Sequence, residues 1–216
     1  MGTILAKNII ATASGILQDK GFDKWDRTDF LEYLNGGQRE VVFIKPSAYT
    51  LNQVVQMQPG TKQSLPSGGI LLLDVMRNMG PTKAMPGRVP REIKREIIDR
   101  ENPNWHADTA NATVLHWIYD DRDPRNYYVY PPQPNTGMGS LELLNSAAPP
   151  EIASEDDPIT LDDIYEPALL NYLLFRAYSI DAEYAREDAT AGAYYKMFLM
   201  LVSGKTKVDD DEQAAE

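Results

Sequence analysis

Few side chains in this chain could do chemistry. His106 and His116 are the only imidazoles, and there is no cysteine. His116 lies inside ATVLHWIY, where it reads as a sheet residue pointing to one face. His106 follows Trp105 in a Pro-Asn-Trp-His-Ala-Asp turn. No G-x-S-x-G elbow accompanies either one. Asp120, Asp121 and Asp123 are close enough to suggest a metal loop. They lack the glycine, the later ligands and the closing glutamate of an EF-hand, and read as a solvated hairpin turn. GxxxxGK[ST] and GxGxxG are both absent, which leaves Pro66-Ser67-Gly68-Gly69 as a turn. Tyr127, Tyr128 and Tyr130 cluster without the interleaved Lys or Arg of a base-stacking platform. Alternation puts Tyr128 and Tyr130 on one strand face and Tyr127 with Val129 on the other, which favours sheet packing. The expectation is a protein that is not an enzyme, with no catalytic residue, metal or cofactor.

The elements that must position these residues are bounded by composition. The chain has 216 residues, 43% hydrophobic and 25% charged, enough for one or two domains with a substantial core. No apolar run reaches about 18 residues, so no membrane span is expected, and no secretion signal is expected either. Residues 1–46 carry six basic and six acidic side chains, and residues 47–150 carry ten of each. Residues 151–216 carry five against sixteen, so the whole net charge of −11 lies there. An acidic surface is poor for tight nucleic-acid binding and suits one that DNA slides past. Simple solubility explains it equally well.

Residues 3–19 read as a helix with Ile4, Leu5, Ile9, Ala13 and Ile16 or Leu17 on one side, Thr3 as N-cap and Gly21 as C-cap. Trp25 to Pro46 reads as a second. Asp26 caps it, Phe30, Leu31, Leu34, Val41 and Ile44 recur at helical spacing, and Pro46 ends it. Asn35-Gly36-Gly37 is a turn signal inside it, and each glycine costs a helix interior about 1 kcal/mol. The apolar phase continues past the pair, so the helix is expected to run through; a break there is the alternative.

From Ser47 to about Ala148 strands are favoured. LNQVVQMQ (51–58) has strand composition, Pro59-Gly60 is a turn, and residues 61–65 can return antiparallel. GILLLDVM (69–76) is a buried strand or a short helix. Residues 78–87 read as a loop, and 91–101 as a short surface helix or an edge strand. ATVLHWIY (112–119) and NYYVY (126–130), joined by the polar turn 120–125, form the clearest hairpin, ended by Pro131-Pro132. GSLELL (139–144) can pair next.

Residues 151–160 read as an acidic linker. Asp163 and Glu166 form a capping box that opens a helix to about Tyr184. Its centre, Ala168 to Ile180, is apolar almost all round and needs cover on most sides, partly from a helical body and partly from a neighbouring subunit. A last helix spans about Arg186 to Val202, and the acidic tail from Gly204 is expected to be disordered alone. The fold class expected is α+β. A helical bundle body of about four helices (1–46 and 160–203) carries an inserted β-rich, sandwich-like domain (47–150), a linker (151–159) and a flexible tail (204–216).

The order of WDRTDFLEYLNGGQREVVFIKPSAY, PGTKQSLPSGGILLLDVMRNMG, PGRVPREIKREIIDRENPNWH, DDRDPRNYYVYPP and DIYEPALLNYLLFRAY resembles the head-to-tail adaptor (connector) proteins of tailed bacteriophages, over roughly residues 3–200. Gly60-Thr61-Lys62-Gln63, Arg77-Asn78 with Gly80, Asn102-Pro103-Asn104-Trp105 and Asp123-Pro124 carry it by order and spacing. Gly36-Gly37 departs from it, since better helix formers are expected there. The resemblance implies a structural virion protein at the head–tail junction, made in the host cytoplasm. It implies a twelve-fold homo-oligomeric ring whose subunits meet by heterologous contacts. Its partners would be the portal protein, a tail tube or nozzle protein, and double-stranded DNA passing through the lumen without sequence-specific binding. Candidate subunit-interface residues are Leu169, Tyr172, Leu173, Phe175, Arg176 and Tyr178. Candidate portal contacts are Asp209, Asp210, Asp211 and Glu212, and candidate tail contacts are Asp120, Asp121, Arg122 and Lys83. The competing reading is a tail-associated β-sandwich module that binds protein or carbohydrate.

Overall fold

Helical periodicity at both ends of the chain and β-rich composition between them produce a mixed α+β architecture. The computed structural model describes residues 2–180 and 185–213, with side chains in the last helix for residues 189–204. In chain order the elements are α1 (Ala6–Ile16), α2 (Arg27–Ile44), β1 (Thr50–Gln56), β2 (Gly60–Ser64), β3 (Gly69–Asn78), β4 (Arg91–Glu92) and α3 (Arg95–Glu101). There follow β5 (His116–Tyr119), β6 (Asn126–Gln133), β7 (Ser140–Ala147), α4 (Glu166–Ile180) and α5 (Ala185–Gln213). They divide into two compact units: Met1–Ala48 with Pro149–Glu216, and Tyr49–Ala148.

In the helical unit α4 packs against α1, α2 and α5. Ala168, Leu169, Tyr172, Leu173, Leu174 and Ala177 are buried, so the all-round apolar helix finds most of its cover inside its own chain. The α2 helix is unbroken. Asp26 caps it by accepting the Thr28 N–H at 2.9 Å, and Phe30, Leu34, Val41 and Val42 enter the core. The glycine pair is there for a close approach. A Cβ on Gly37 would lie 2.9 Å from Tyr172 Cδ1 and 3.2 Å from Leu169 Cδ2.

Helix ends depart from expectation where side chains find better partners than a cap. Thr3 does not cap α1; its N–H and hydroxyl both donate to the Asp163 carboxylate at 2.6 Å. Asp163 is therefore engaged elsewhere, and Asp162 caps the turn before α4 by accepting the Ile164 N–H at 3.0 Å. The α1–α2 connection is closed by Asp19, which accepts from the N–H groups of Asp23, Lys24 and Trp25, with Gln18 and Phe22 at positive φ instead of Gly21. The backbone of α5 continues past Val202 to Gln213; residues 205–213 contain no glycine or proline to stop it. Residues 181–184, where α4 was expected to end, lie outside the described residues.

The second unit contains two sheets, ordered β1-β7-β3 and β2-β6-β5-β4. The hairpin of β5 and β6 is present, in the register His116↔Tyr130 to Tyr119↔Tyr127. The return expected after Pro59-Gly60 is not. β1 pairs with β7 and β2 with β6, so the turn carries the chain from one sheet to the other. Residues 69–78 are strand, and 91–101 contain both the edge strand β4 and the helix α3. β6 runs through Pro131 and Pro132 to Gln133. One core is shared by both sheets: Leu72, Val75, Leu141 and Leu143 meet Trp117, Tyr127 and Val129. Tyr128 and Tyr130 lie on the other face and pack on Ile98, Trp105 and Ile118.

Candidate interaction surfaces

Three surfaces follow from the residues singled out in the sequence. The first is the α4–α5 face of the helical unit. A run of rings ties the two helices: Tyr172 to Phe198 at 5.2 Å, Phe175 to Tyr195 at 4.7 Å, and Tyr178 stacked on Tyr194 at 5.6 Å. Tyr195 donates to Glu40 Oε1 at 3.1 Å, and burial raises its phenol above the usual value, helped by that carboxylate. Of the interface candidates, Leu169 and Leu173 have no exposed surface and Tyr172 almost none. Phe175 and Tyr178 are half-buried, and Arg176 is exposed with its guanidinium 5.2 Å over the Tyr33 ring. Arg176, Tyr33, Tyr172, Gly36, Arg39 and Glu151 line a cleft of about 420 Å³.

Two polar residues of α2 organise this side of the unit: Asn35, read in the sequence only as part of a turn signal, and Gln38, which the sequence did not single out. Asn35 uses both ends of its amide on Ile152, donating to its carbonyl at 3.0 Å and accepting its N–H at 2.8 Å. Gln38 is 1% exposed, and its Oε1 accepts from Thr160 N at 2.7 Å and Leu161 N at 3.2 Å. A glutamine among Leu34, Gly37 and Val41 on an apolar stripe was the available signal. Arg39–Glu151, Arg27–Glu155 and Lys7–Asp156 add ion pairs at 2.7, 2.8 and 2.7 Å. Residues 151–159, read as a linker, are thus bonded along α1 and α2, and part of the acidic excess is neutralised on them.

The second surface is the loop end of the β unit. Asp120 takes a fork from Arg122, Nε to Oδ1 at 2.9 Å and Nη2 to Oδ2 at 2.8 Å. The Arg122 hydrogen bonds, aided by its charge, lower the Asp120 carboxyl to about 2. Asp120 and Arg122 therefore satisfy each other, while Asp121 and the Arg122 stem stay exposed. Lys83 sits at positive φ on the fully exposed stretch 81–89. Among the described residues no hydrogen bond or ion pair joins it to the 120–125 turn. Asn78 anchors that stretch: its Nδ2 donates to the carbonyls of Arg88 and Val114, and its Oδ1 accepts from Val114 N at 2.8 Å.

Both histidines are held in ring stacks. His106 stacks on Trp105 at 3.7 Å and shares a 2.8 Å hydrogen bond with the Thr61 hydroxyl. His116 stacks on Tyr130. Trp105 donates to Asp99, and Tyr130 to Asp108 at 2.8 Å; that phenol, with Thr109 N–H and Asn102, lowers the Asp108 carboxyl. The Asn-Pro-Asn-Trp-His stretch is thus a packing cluster on the outer face of a sheet. Among the described residues no group of three or more His, Asp or Glu could hold a metal ion, and no helix is long and apolar enough to cross a membrane.

The third surface, Asp209, Asp210, Asp211 and Glu212, is on the backbone of α5, and its side chains lie outside the described residues. No curated protein matches the chain. A family model described as SU10 adaptor protein matches it over residues 5–215, and the chain belongs to that family: it is a structural virion protein, a head-to-tail adaptor of tailed bacteriophages.

Proposed function

We propose that this adaptor acts as a closed ring of about twelve copies set between the portal and the tail, with DNA leaving through its lumen. Exposed apolar surface on the helical unit carries the reading. With α4 covered inside the chain, large hydrophobic side chains still face outward: Phe43 on α2 is 83% exposed, Ile180 on α4 62% and Met200 on α5 60%. These outward-facing side chains on three helices are the surface that we assign to a neighbouring copy. Neighbouring copies meet here, with Phe175, Arg176 and Tyr178 at the contact and Leu169, Tyr172 and Leu173 supporting it from beneath.

A bundle of about four helices, formed by residues 1–46 and 160–203, seats on the portal, and the acidic end of α5, Asp209 to Glu212, reaches onto it. The sandwich-like insertion, residues 47–150, faces the tail through Asp120, Asp121, Arg122 and Lys83. Its ten basic and ten acidic side chains cancel, so the −11 belongs to the helical unit. A lumen lined by that unit repels phosphate and lets DNA move without sticking. The protein resides at the head–tail junction and is made in the host cytoplasm.

Electron microscopy of the protein mixed with its portal tests this reading. A ring stacked on the portal is expected, and no association overturns it. Phe43→Asp, on a side chain that contributes little to the core, is expected to abolish the ring and leave the circular dichroism unchanged.

A further inference from the structure

The two sheets present four edge strands, and three are blunted. β3 shifts register against β7 at three places, carries Asp74 and Arg77, and has its last residue bonded to Gly87 and Arg88. β2 has five residues with a register shift beside Lys62, and β4 has two residues, both charged. Bulges, charges, shortness and cover are the devices by which proteins stop an edge from pairing with another chain.

β1 has none of them. Thr50–Gln56, TLNQVVQ, is seven residues long, with no charge and no proline, and it pairs with β7 in unbroken register from Thr50↔Ser146 to Gln56↔Ser140. At its two ends Ala147 N donates to Tyr49 O, and Met57 N to Gly139 O. Odd-numbered residues therefore face β7, because bonded pairs alternate along an antiparallel ladder. The N–H and C=O groups of Thr50, Asn52, Val54 and Gln56 point away from it. Among the described residues none of these eight groups has a hydrogen-bond partner, and Thr50, Asn52 and Gln56 are exposed.

We infer that β1 is a docking strand that takes an extended segment of the tail-side protein as a fourth strand of its sheet. A second copy of this chain is disfavoured as the occupant. The other edges of a neighbour are blunted, and β1 on β1 is a two-fold contact that cannot recur around a ring of more than two copies. Recognition by main chain explains why this edge is uncharged, since strand addition draws affinity from backbone hydrogen bonds. The assignment to the tail side rests on the orientation proposed above.

The test is made on phage carrying adaptor variants. Val54→Pro removes an outward N–H and no bond to β7, and proline is tolerated on an edge strand facing outward. Asn52→Lys blunts the edge with a charge, and Val54→Thr keeps the main chain intact. Expected are DNA-filled heads that carry the adaptor ring but no tail. Tailed particles should fall by about tenfold or more for Val54→Pro, the loss of one to two net hydrogen bonds, should also fall for Asn52→Lys, whose charge opposes strand addition, and should be unchanged for Val54→Thr. Normal numbers of tailed particles with Val54→Pro and Asn52→Lys overturn the inference. Heads with rings and no tails keep it and the ring reading together, whereas a wild-type protein that forms no ring on the portal removes the ring reading alone. If Val54→Pro heads carry no ring, the count for Asn52→Lys decides. Gln53→Cys, in a chain without other cysteines, sits where a two-fold β1 pair would place two Cα atoms about 4.5 Å apart. A disulfide-linked dimer of this variant assigns the edge to a second copy and also overturns the inference.

Discussion

The two units solve the same closure problem with different groups. The helical unit is built from two stretches of chain separated by the whole insertion, and long-range polar side chains join them. Asn35, Gln38, Thr3 with Asp163, and three ion pairs each link residues more than 100 positions apart. The β unit is contiguous, and main-chain ladders close it. Its polar side chains tidy turns, as Asp120 does with Arg122 and Gln63 with Gln58, or support the ladders from beside them, as Asn78 does with Val114 and Arg77 with Glu142. A domain interrupted in sequence needs specific ties to bring its halves together; a contiguous one needs them less.

The sharpest way to break this contrast is at Gln38. Gln38→Ala leaves the N–H groups of Thr160 and Leu161 without an acceptor in the core. It is expected to cost about 2–6 kcal/mol, at 1–3 kcal/mol for each of the two orphaned groups. A urea titration followed by helical circular dichroism measures it. An unchanged midpoint would remove the tie from the argument.

Next is the glycine pair. Gly37→Ala forces a methyl onto Tyr172 and Leu169 and is expected to cost about 1–2 kcal/mol after its helix-propensity gain. Gly36→Ala meets Tyr172 only at 3.6 Å, ordinary contact, and is expected to gain up to about 1 kcal/mol. Opposite signs at adjacent positions locate the close approach, and equal signs would refute it.

Acid should weaken the Asp163 tie. The Thr3 hydroxyl, then the Ile4 and Thr3 N–H groups, hold its carboxyl below the ordinary value. A lowered folded-state value means that the contribution is complete above the ordinary carboxylate range and disappears as pH falls through the lowered value. The stability gap between wild type and Asp163→Asn should therefore narrow as the pH falls from neutral to about 3, a range set by the ordinary value near 4. A gap that stays constant would count against the tie. The smallest effect belongs to the exposed ion pairs. Raising salt to about 1 M, where the screening length is about 3 Å, should shift the helical unit's midpoint slightly downward.

Much of the plan was legible. Asp26 as cap, the helical phase through Asn35-Gly36-Gly37, and the hairpin of Trp117 and Ile118 on Val129 and Tyr128 are set by local rules: capping chemistry, a 3.6-residue period and strict alternation. Alternation also sorted Tyr127 and Val129 from Tyr128 and Tyr130. Of the candidate sites, Asp120 and Arg122 were visible as a polar turn, but not as a pair that satisfies itself. Arg176 and Tyr172 were visible as part of an apolar helix, but not as two walls of one cleft with α2.

What stayed hidden has one physical cause. Capping, periodicity and turn propensity act within a few residues, so they settle which stretches are helix, strand or turn. Partner choice depends on groups far apart in the chain. That is why Pro59-Gly60 looked like the turn of a hairpin and proved to be a crossing between sheets, with β1 given to β7. It is also why Asp163 looked like a helix cap and proved to be the acceptor for Thr3. The same limit explains why TLNQVVQ read only as a strand. Its open edge is defined by which strands pair with it and which do not, and that is a property of the assembled sheets.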